Sequence, residues 1–504
     1  MNAKRSLLKS ASATEVWIWL GEAGEDSDAA MDYIRNIEKL DFEDPNYSPP
    51  PAAWKAINLL WSRPWFERLW VVQEALLARK ATFNCGQQTV DLDCFVMLKE
   101  VQMKYIHLPH PRLASMQYPL SSPFALALWD WNRLKDLQSR GGIPLFQMIT
   151  LTGKARCFSP VDKIYGILSV CQEIDRRVVK IDYDVCIRCL LMQLAAYMLY
   201  RREAYSPLFV LQTHRTNKTQ DVPSWVPDYT TDDDEEHLIV VPNVEGSRPF
   251  NAGANDVAWT NLGLPSFPFP GGDLPDDVGE LFNPLRIQFE DERTFETLMI
   301  PGLVVDTIQA VYPCPFDPKN DFYTGPDLEE DQRRKALRRT IFLETFKKWE
   351  HNIRCDLRDN CNPYPSLLGR SEAFWRTLVT DRELEYPTKR PASNDFADRF
   401  EAWMGRSERR NDEAYTRPFS NAAINSCLHR SFATTRKGYL ALVPQSTMLG
   451  HLVCVLRGAR VPFIIKARDD GYFELVGEAY VHGIMDGESV LCAQKNDVKV
   501  FKIR

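Results

Sequence analysis

At 504 residues, with 44% hydrophobic and 26% charged side chains, the chain has the makeup of a globular protein of about two to four packed units at ~150 residues each, not of a disordered or fibrous one. A formal charge of -7, with no basic stripe beyond Arg333-Arg334-Lys335 and Arg338-Arg339, argues against nucleic acid as a main partner, and no apolar run approaches the ~18 residues that span a bilayer. The start, Met1-Asn2-Ala3-Lys4-Arg5-Ser6, lacks the apolar core of a signal peptide, and 12 scattered cysteines are no disulfide framework, so the expectation is a reducing, cytoplasmic setting without a membrane partner.

Residues 4 to 13 read as the tail of a helix, and Val16-Trp17-Ile18-Trp19-Leu20, closed by Gly21, reads as a short buried strand. Ala30, Ile34, Ile37 and Leu40 recur at helical spacing over 28 to 40, and after the stiff Pro49-Pro50-Pro51 connector Trp54, Ile57 and Trp61 mark a second helix. The run Arg63-Pro64-Trp65-Phe66-Glu67-Arg68-Leu69-Trp70-Val71-Val72-Gln73-Glu74 then concentrates large aromatics with guanidinium, amide and carboxylate groups. Aromatics favour burial, whereas charged groups tolerate it only when paired, so these side chains need partners from elsewhere in the chain. Pro64 suits the first turn of a helix, and a helix continuing from it puts Trp70, Gln73, Glu74 and Leu77 on one face.

Ala81 to Cys85 reads as a strand ended by Gly86, and Asp91 or Asp93 can cap a helix running to about Lys104. His107 and His110 are separated by helix-breaking prolines and read as loop residues, not metal ligands. Trp129, Trp131 and Leu134 begin a helical stretch that Gly141-Gly142 ends. In Ala155-Arg156 and Ser159 to Leu168, Ser159 is a good N-cap, Pro160 a good first-turn residue and Asp162 sits where a carboxylate can reach back to backbone N–H groups. Two readings stand side by side: Arg156 and Asp162 form a charged rim around a pocket, or Asp162 is a cap and Arg156 its partner or that of Glu74. Cys186 and Cys189, the Cys-x-x-Cys pair, read as buried free thiols rather than a zinc or redox site. Leu190, Leu194, Tyr197 and Met198 give a helical core face, Leu208 to Leu211 a short strand, and Trp225 lies between Pro223 and Pro227 in a rigid segment shaped to plug a core or line a cleft.

Residues 230 to 293 turn acidic and then rich in Gly, Pro, Asn and Asp, and read as an irregular linker. Leu298 to Ile308 reads as paired strands with a turn at Pro301-Gly302. Helices come next over about 329 to 351, around Phe374-Trp375 and around Phe396, Phe400 and Trp403, their aromatics forming packing faces. The last eighty or so residues carry short strands at 438 to 444, 452 to 458 and 462 to 466, then a hairpin through Asp469-Asp470-Gly471, which together predict a small, strongly curved β-barrel. His482 and Glu488 are compatible with an acid/base pair, but a turn-stabilising role is the simpler reading.

The run from Arg63 to Glu74, with Ala78 just beyond it, resembles the signature of the fungal heterokaryon incompatibility (HET) domain. Ala155-Arg156 with Ser159 to Leu168, and Val222-Pro223-Ser224-Trp225-Val226-Pro227-Asp228-Tyr229, resemble that family's next two blocks in the same order. The strand pair with Gly302, Asp306 and Ile308 and the segment Val476 to Glu488 resemble stretches C-terminal to the domain in family members, although Gly450-His451 stands where the family has Gly-Asp. The opening blocks of the family are not found before Val16, so the resemblance implies a domain incomplete at its N-terminus.

The fold so implied is an α/β HET domain, TIR-like or flavodoxin-like and N-terminally truncated, over 1-229. The linker 230-293 comes after it, then 294-428 as a strand pair plus helices, and 429-504 as a β-rich domain packing with 294-313, giving an α+β chain overall. The family acts in fungal non-self recognition and cell death, with other incompatibility or signalling proteins as partners and homo-oligomers conceivable. Likeness to Toll/interleukin-receptor (TIR) domains that cleave NAD makes Glu74 the candidate catalytic residue. Arg63, Arg68, Gln73, Arg156 and Asp162 then form a binding or structural ion network, and Trp65, Trp70 and Trp225 the aromatic walls. NAD enters only as a possible substrate, and no metal or fixed cofactor is implied. The rival readings are a non-enzymatic assembly module, with those charges as a buried ion network, and an inactive remnant.

Overall fold

In a computed structural model of the chain, described for residues 15–24, 26–44, 46–105, 123–200, 222–230, 250–253, 256–262, 288–291, 294–314, 328–356, 363–364, 367–383, 389–407 and 412–504, two compact units are distinguished. The first is built from Met1–Ile187 with Tyr229–Asp234 and Thr324–Glu329, the second from Arg188–Asp228, Glu235–Tyr323 and Glu330–Arg504. His107, His110 and Leu208 to Leu211 lie outside the described residues, as do the first fourteen positions.

In the first unit, β1 (Val16–Trp19) pairs in parallel with β2 (Ala81–Cys85), and β2 pairs antiparallel with β3 (Gln88–Asp91). Parallel neighbours need a crossover, supplied here by α1 (Ser27–Arg35), α2 (Pro51–Trp61), a 3-10 turn at Pro64–Glu67 and α3 (Trp70–Leu77). β3 falls where the sequence reading goes straight from Gly86 to a helix. Gly86 sits at φ +55, and with Gln87 it makes a tight hairpin that returns the chain along β2. Asp91 does not cap the next helix, α4 (Leu92–Tyr105); its carboxylate accepts from Thr82 Oγ1 at 3.1 Å and lies 3.5 Å from Lys80 Nζ. Then come α5 (Pro123–Trp129), α6 (Trp131–Ser139), α7 (Leu145–Thr152), α8 (Asp162–Tyr165) and α9 (Glu173–Val178). Phe83 and Phe95, with ring centroids 4.3 Å apart, and the stacked Trp61 and Phe66 at 4.7 Å join Phe124 and Trp131 in one aromatic core.

Helix α10 (Ile187–Tyr200) is next, with Leu190, Leu194, Tyr197 and Met198 buried as its spacing predicts. At its start the free-thiol reading fails, because Cys186 and Cys189 are both disulfide-bonded. Both are exposed, so burial does not shield them as it does Cys85, Cys171 and Cys427.

The second unit is organised around one strand. Leu298 to Ile308 is not a hairpin: β5 runs unbroken from Leu298 to Tyr312 through Pro301 and Gly302. Pro301 lacks an N–H but its carbonyl accepts from Arg457 N–H at 2.9 Å, and Gly302 is pressed so closely that an added Cβ would come within 2.8 Å of Val455 O. Over its length β5 pairs with β12 (Val498–Ile503), β8 (Leu452–Leu456) and β6 (Arg430–Thr435). The path β5-β12-β10-β9-β8, with β9 (Phe463–Ala467) and β10 (Phe473–Glu478), returns to β5 and closes a barrel. The far half of β5 continues into β6, β7 (Leu440–Pro444) and β11 (Tyr480–Val481).

The stretch 230-293 is not all linker. Ala252 and Trp259, the latter on α11 (Asp256–Asn261), join Leu303, Val453, Ile464 and Val476 in the barrel core, with Ala252 and Gly253 N–H groups bonded to Arg460 and Ala459 carbonyls. The low overall hydrophobicity of the stretch hides these few anchors. Helices α12 (Leu328–Asp356), α13 (Leu367–Leu378), α14 (Asn394–Trp403) and α15 (Glu413–Cys427) carry the expected aromatic faces: Phe374 meets Phe432 of β6 at 5.5 Å, Trp349 meets it at 5.3 Å, and Phe400 meets Phe419 at 5.4 Å. No helix among the described residues is long and apolar enough to cross a membrane.

Candidate functional site

The site is assembled in the first unit, where the motif from Arg63 to Glu74 meets that from Ala155 to Leu168. The helix expected from Pro64 comes in two pieces: the 3-10 turn ends at Glu67, Arg68 is extended (φ -78, ψ 139), and α3 starts at Trp70. That break lets backbone meet backbone. Arg68 and Arg156 form an isolated parallel bridge, Arg156 N–H donating to Glu67 O at 2.7 Å and Leu69 N–H to Arg156 O at 3.0 Å. Gly166 completes the fit, since a Cβ there would lie 2.8 Å from the Leu69 side chain and 2.7 Å from Asp162 O.

On α3 the expected face is present. Val71, Val72, Ala75 and Leu76 point inward, Trp70, Glu74 and Leu77 are half-buried, and Gln73 is fully buried. Gln73 Oε1 accepts from Ser169 Oγ at 2.6 Å, a second tie between the two motifs. The Glu74 carboxylate accepts no hydrogen bond and pairs with no cation among the described residues. Burial pushes its pKa above the ordinary carboxylate range, and the charge of Arg68 draws it back only in part. A half-buried acid without a hydrogen-bonding partner costs stability.

The remaining predicted residues correct the idea of one buried ion network. Arg63 is a fastener: its Nη1 donates to Leu20 O at 2.9 Å and Glu22 O at 3.0 Å, holding the end of β1. Arg156 pairs with Glu67 at 2.9 Å, neither with Asp162 nor with Glu74, and its side chain is 74% exposed. Arg68 is exposed as well. These guanidiniums stand in water because their backbones, not their side chains, make the bridge between motifs. Asp162 caps nothing; it accepts from Tyr183 OH at 2.9 Å, while burial and that carboxylate together push the phenol up to about 12. Trp65 is tied edge-on into the aromatic core, with Phe124 at 4.9 Å and Phe83 at 5.2 Å. Trp225 is no open wall: it belongs to the second unit, is 0% exposed and donates its indole N–H to Glu296 O at 3.2 Å. Its neighbour Ser224 accepts from Leu475 N–H at 2.8 Å and donates to Arg504 O at 2.7 Å, so the Pro-Ser-Trp segment is a core plug for the barrel unit.

Two lysines escape a reading of the sequence. Lys163, buried at 6% exposure, donates to Gly153 O at 2.8 Å and Ala155 O at 2.6 Å, fixing the end of α7 against the second motif. Lys135 does the same for α3, donating to Leu76 O at 3.1 Å and Ala78 O at 2.8 Å. The signal for Lys163 is its place beside Ile164 on an apolar turn; Lys135 has none.

In the barrel unit, His482 and Glu488 are not an acid/base pair. His482 Nδ1 is bonded to Tyr480 OH at 2.9 Å, and burial, with Arg376 nearby, pushes the imidazole down to about 4. Glu488 accepts from Asp486 N–H at 2.8 Å, which is turn-stabilising work. At Gly450-His451 the imidazole takes a similar task, Nδ1 accepting from Met448 N–H at 3.2 Å. Among the described residues no group of three or more His, Cys, Asp or Glu is placed to hold a metal ion.

An α+β chain with a closed β-barrel in its second unit is the class these features define. Two family models match it: "Heterokaryon incompatibility protein (HET)" over residues 11–74, ending on Glu74, and "Het-6 beta-barrel domain" over residues 402–501. The chain thus carries a segment that matches the HET model and another that matches the Het-6 barrel model. It is similar to "Heterokaryon incompatibility protein 6, OR allele" of Neurospora crassa, with 23% identity over 585 residues that cover 96% of this chain and 78% of the relative. No solved structure matches it.

Proposed function

We propose that this chain acts in heterokaryon incompatibility, as a cytoplasmic protein whose HET segment promotes cell death when incompatible strains fuse, together with other incompatibility or signalling proteins. The observation that carries the reading is the HET match over residues 11–74, which includes the unpartnered Glu74, in a chain similar along 96% of its length to an incompatibility protein. The parallel β1–β2 pair, joined through α1 to α3, supports reading the first unit as an α/β fold of the TIR or flavodoxin kind.

The state of Glu74 favours a second reading, cleavage of NAD at its glycosidic bond. A carboxylate beside Trp70, held short of full solvation, is suited to bind ribose hydroxyls and to stabilise an oxocarbenium-like transition state, with the exposed Arg68 and Arg156 available for the diphosphate. Fold analogy alone does not transfer that chemistry. Induced expression in a fungal host tests both readings. The wild-type chain is expected to stop growth and deplete NAD, and Glu74→Gln to lose both while remaining folded. Toxicity that survives Glu74→Gln would point to assembly without catalysis, and a wild-type chain without toxicity would sink the cell-death role.

A further inference from the structure

Helix α10 opens on the Cys-x-x-Cys step: Cys186 stands immediately before it and Cys189 in its first turn. Both are disulfide-bonded, while the preceding cysteines, Cys157 and Cys171, are free thiols. Residues three apart at the start of a helix lie on one side of it and within reach of a single bridge, so the two close a ring around Ile187 and Arg188. The chain is anchored before that ring and within it. Tyr165 OH donates to Asp182 O and Tyr183 OH to Asp162 Oδ1, each at 2.9 Å. Arg188 Nη2 donates to Glu296 Oε1 at 3.0 Å, and the second Glu296 oxygen accepts from Arg504 at 3.2 Å. A ring this short takes little conformational freedom from the unfolded chain, so the bond adds less stability than one closing a long loop. Both cysteines are exposed, unlike the buried thiols of Cys85, Cys171 and Cys427, and an exposed bridge is open to thiol exchange.

We propose that Cys186 and Cys189 form a reversible dithiol–disulfide site, whose co-reactant is a dithiol and whose state sets how firmly Arg188 is held on Glu296. The exchange balances. One thiolate of the reductant attacks Cys189 Sγ, the bond between the two cysteines breaks, and Cys186 leaves as the thiolate that a helix N-terminus favours. The second thiol of the reductant then attacks the mixed disulfide, releasing Cys189 and closing an S–S bond within the reductant. Two electrons and two protons pass to the chain, and the reverse course returns them. With the ring closed, Ile187 and Arg188 are fixed in the first turn of α10 and the guanidinium stays on Glu296. With the ring open, that turn is free to fray as helix ends do. The remaining ion pair, its side chains 38% and 34% exposed, is too screened to hold it alone. This inference stands apart from the reading of Glu74.

The full-length wild-type chain tests this without any substitution. It is equilibrated in buffers of graded reduced-to-oxidised dithiothreitol, quenched with N-ethylmaleimide and mapped by peptide mass spectrometry. A bond joining Cys186 to Cys189 is expected in oxidising buffer. Millimolar dithiothreitol should open it to two alkylated thiols with unchanged far-UV circular dichroism. Trypsin, added once the reagents are removed, is expected to cut after Arg188 about tenfold faster in the opened chain. Cys186→Ser/Cys189→Ser should be cut at the faster rate whatever the buffer. Absence of the 186-to-189 bond under oxidation, or opening that requires denaturant, would overturn the site. Equal cutting after Arg188 in the closed and opened chains would overturn its link to Glu296.

Discussion

The two units treat charge in opposite ways. In the barrel unit Arg430 and Glu478 are 9% and 6% exposed and bonded at 2.9 Å, and Arg390, 4% exposed, grips Asp486 through two bonds of 2.9 and 2.8 Å. In the HET unit the ion pair between the motifs, Arg156 with Glu67, stands in solvent, and the half-buried Glu74 has no partner among the described residues. Buried charges that are matched hold a structure together. A carboxylate left unmatched and half-buried costs stability instead.

That contrast can be broken, beginning with the largest expected effect. Arg430→Ala leaves Glu478 buried with its cation gone and should cost about 3–5 kcal/mol, read by denaturant unfolding; a loss as small as a surface substitution would mean that burial there is incomplete. Trp225→Ala, removing a wholly buried indole, should cost about 3–5 kcal/mol by the same measurement. Acid is next. His482 is held near 4 in the fold against an ordinary value near 6.5, so the unfolded chain binds its proton first, and stability is present above about pH 6.5 and declines as pH falls towards 4. His482→Gln should flatten that part of the Tm-against-pH curve.

The HET unit should answer more weakly. Arg156→Ala removes a pair that water already screens and should change stability by no more than about 1 kcal/mol. Glu74→Gln should not lower the Tm at neutral pH at all. Its folded pKa is raised, so ionisation opposes folding once pH rises above the unfolded value, and removing the charge relieves that cost. A marked drop in Tm would show that Glu74 is matched after all, and the comparison between the units would fail there.

Much of the architecture is legible in the sequence because periodicity and turn chemistry are local. α2, α10, the aromatic helices and the curved C-terminal strands are each expected from spacing alone; β1 is a strand as expected but not a buried one, since Trp17 and Trp19 are exposed and only Ile18 faces the core. Pro301-Gly302 misleads because the same dipeptide serves a turn or a strand pressed against its neighbours, and only β8 and β12 on either side decide which. Within the site, the face of α3 is readable from a helical repeat, but the partners of Arg156 and Asp162 are not. Both arginine and carboxylate accept several neighbours, and the choice is made by a backbone bridge between Arg68 and Arg156, residues 88 positions apart.

Residue order by itself determined the resemblance to HET-domain motifs, the helix carrying Gln73 and Glu74, and the barrel-forming character of the C-terminal strands, since each depends on neighbours within a few positions. Tertiary structure alone decided that Trp225 plugs the barrel unit, that Lys163 is buried and that Arg68 and Arg156 face water. Those outcomes rest on which surfaces desolvate one another, and desolvation is a property of distant segments brought together, which no short stretch of sequence contains.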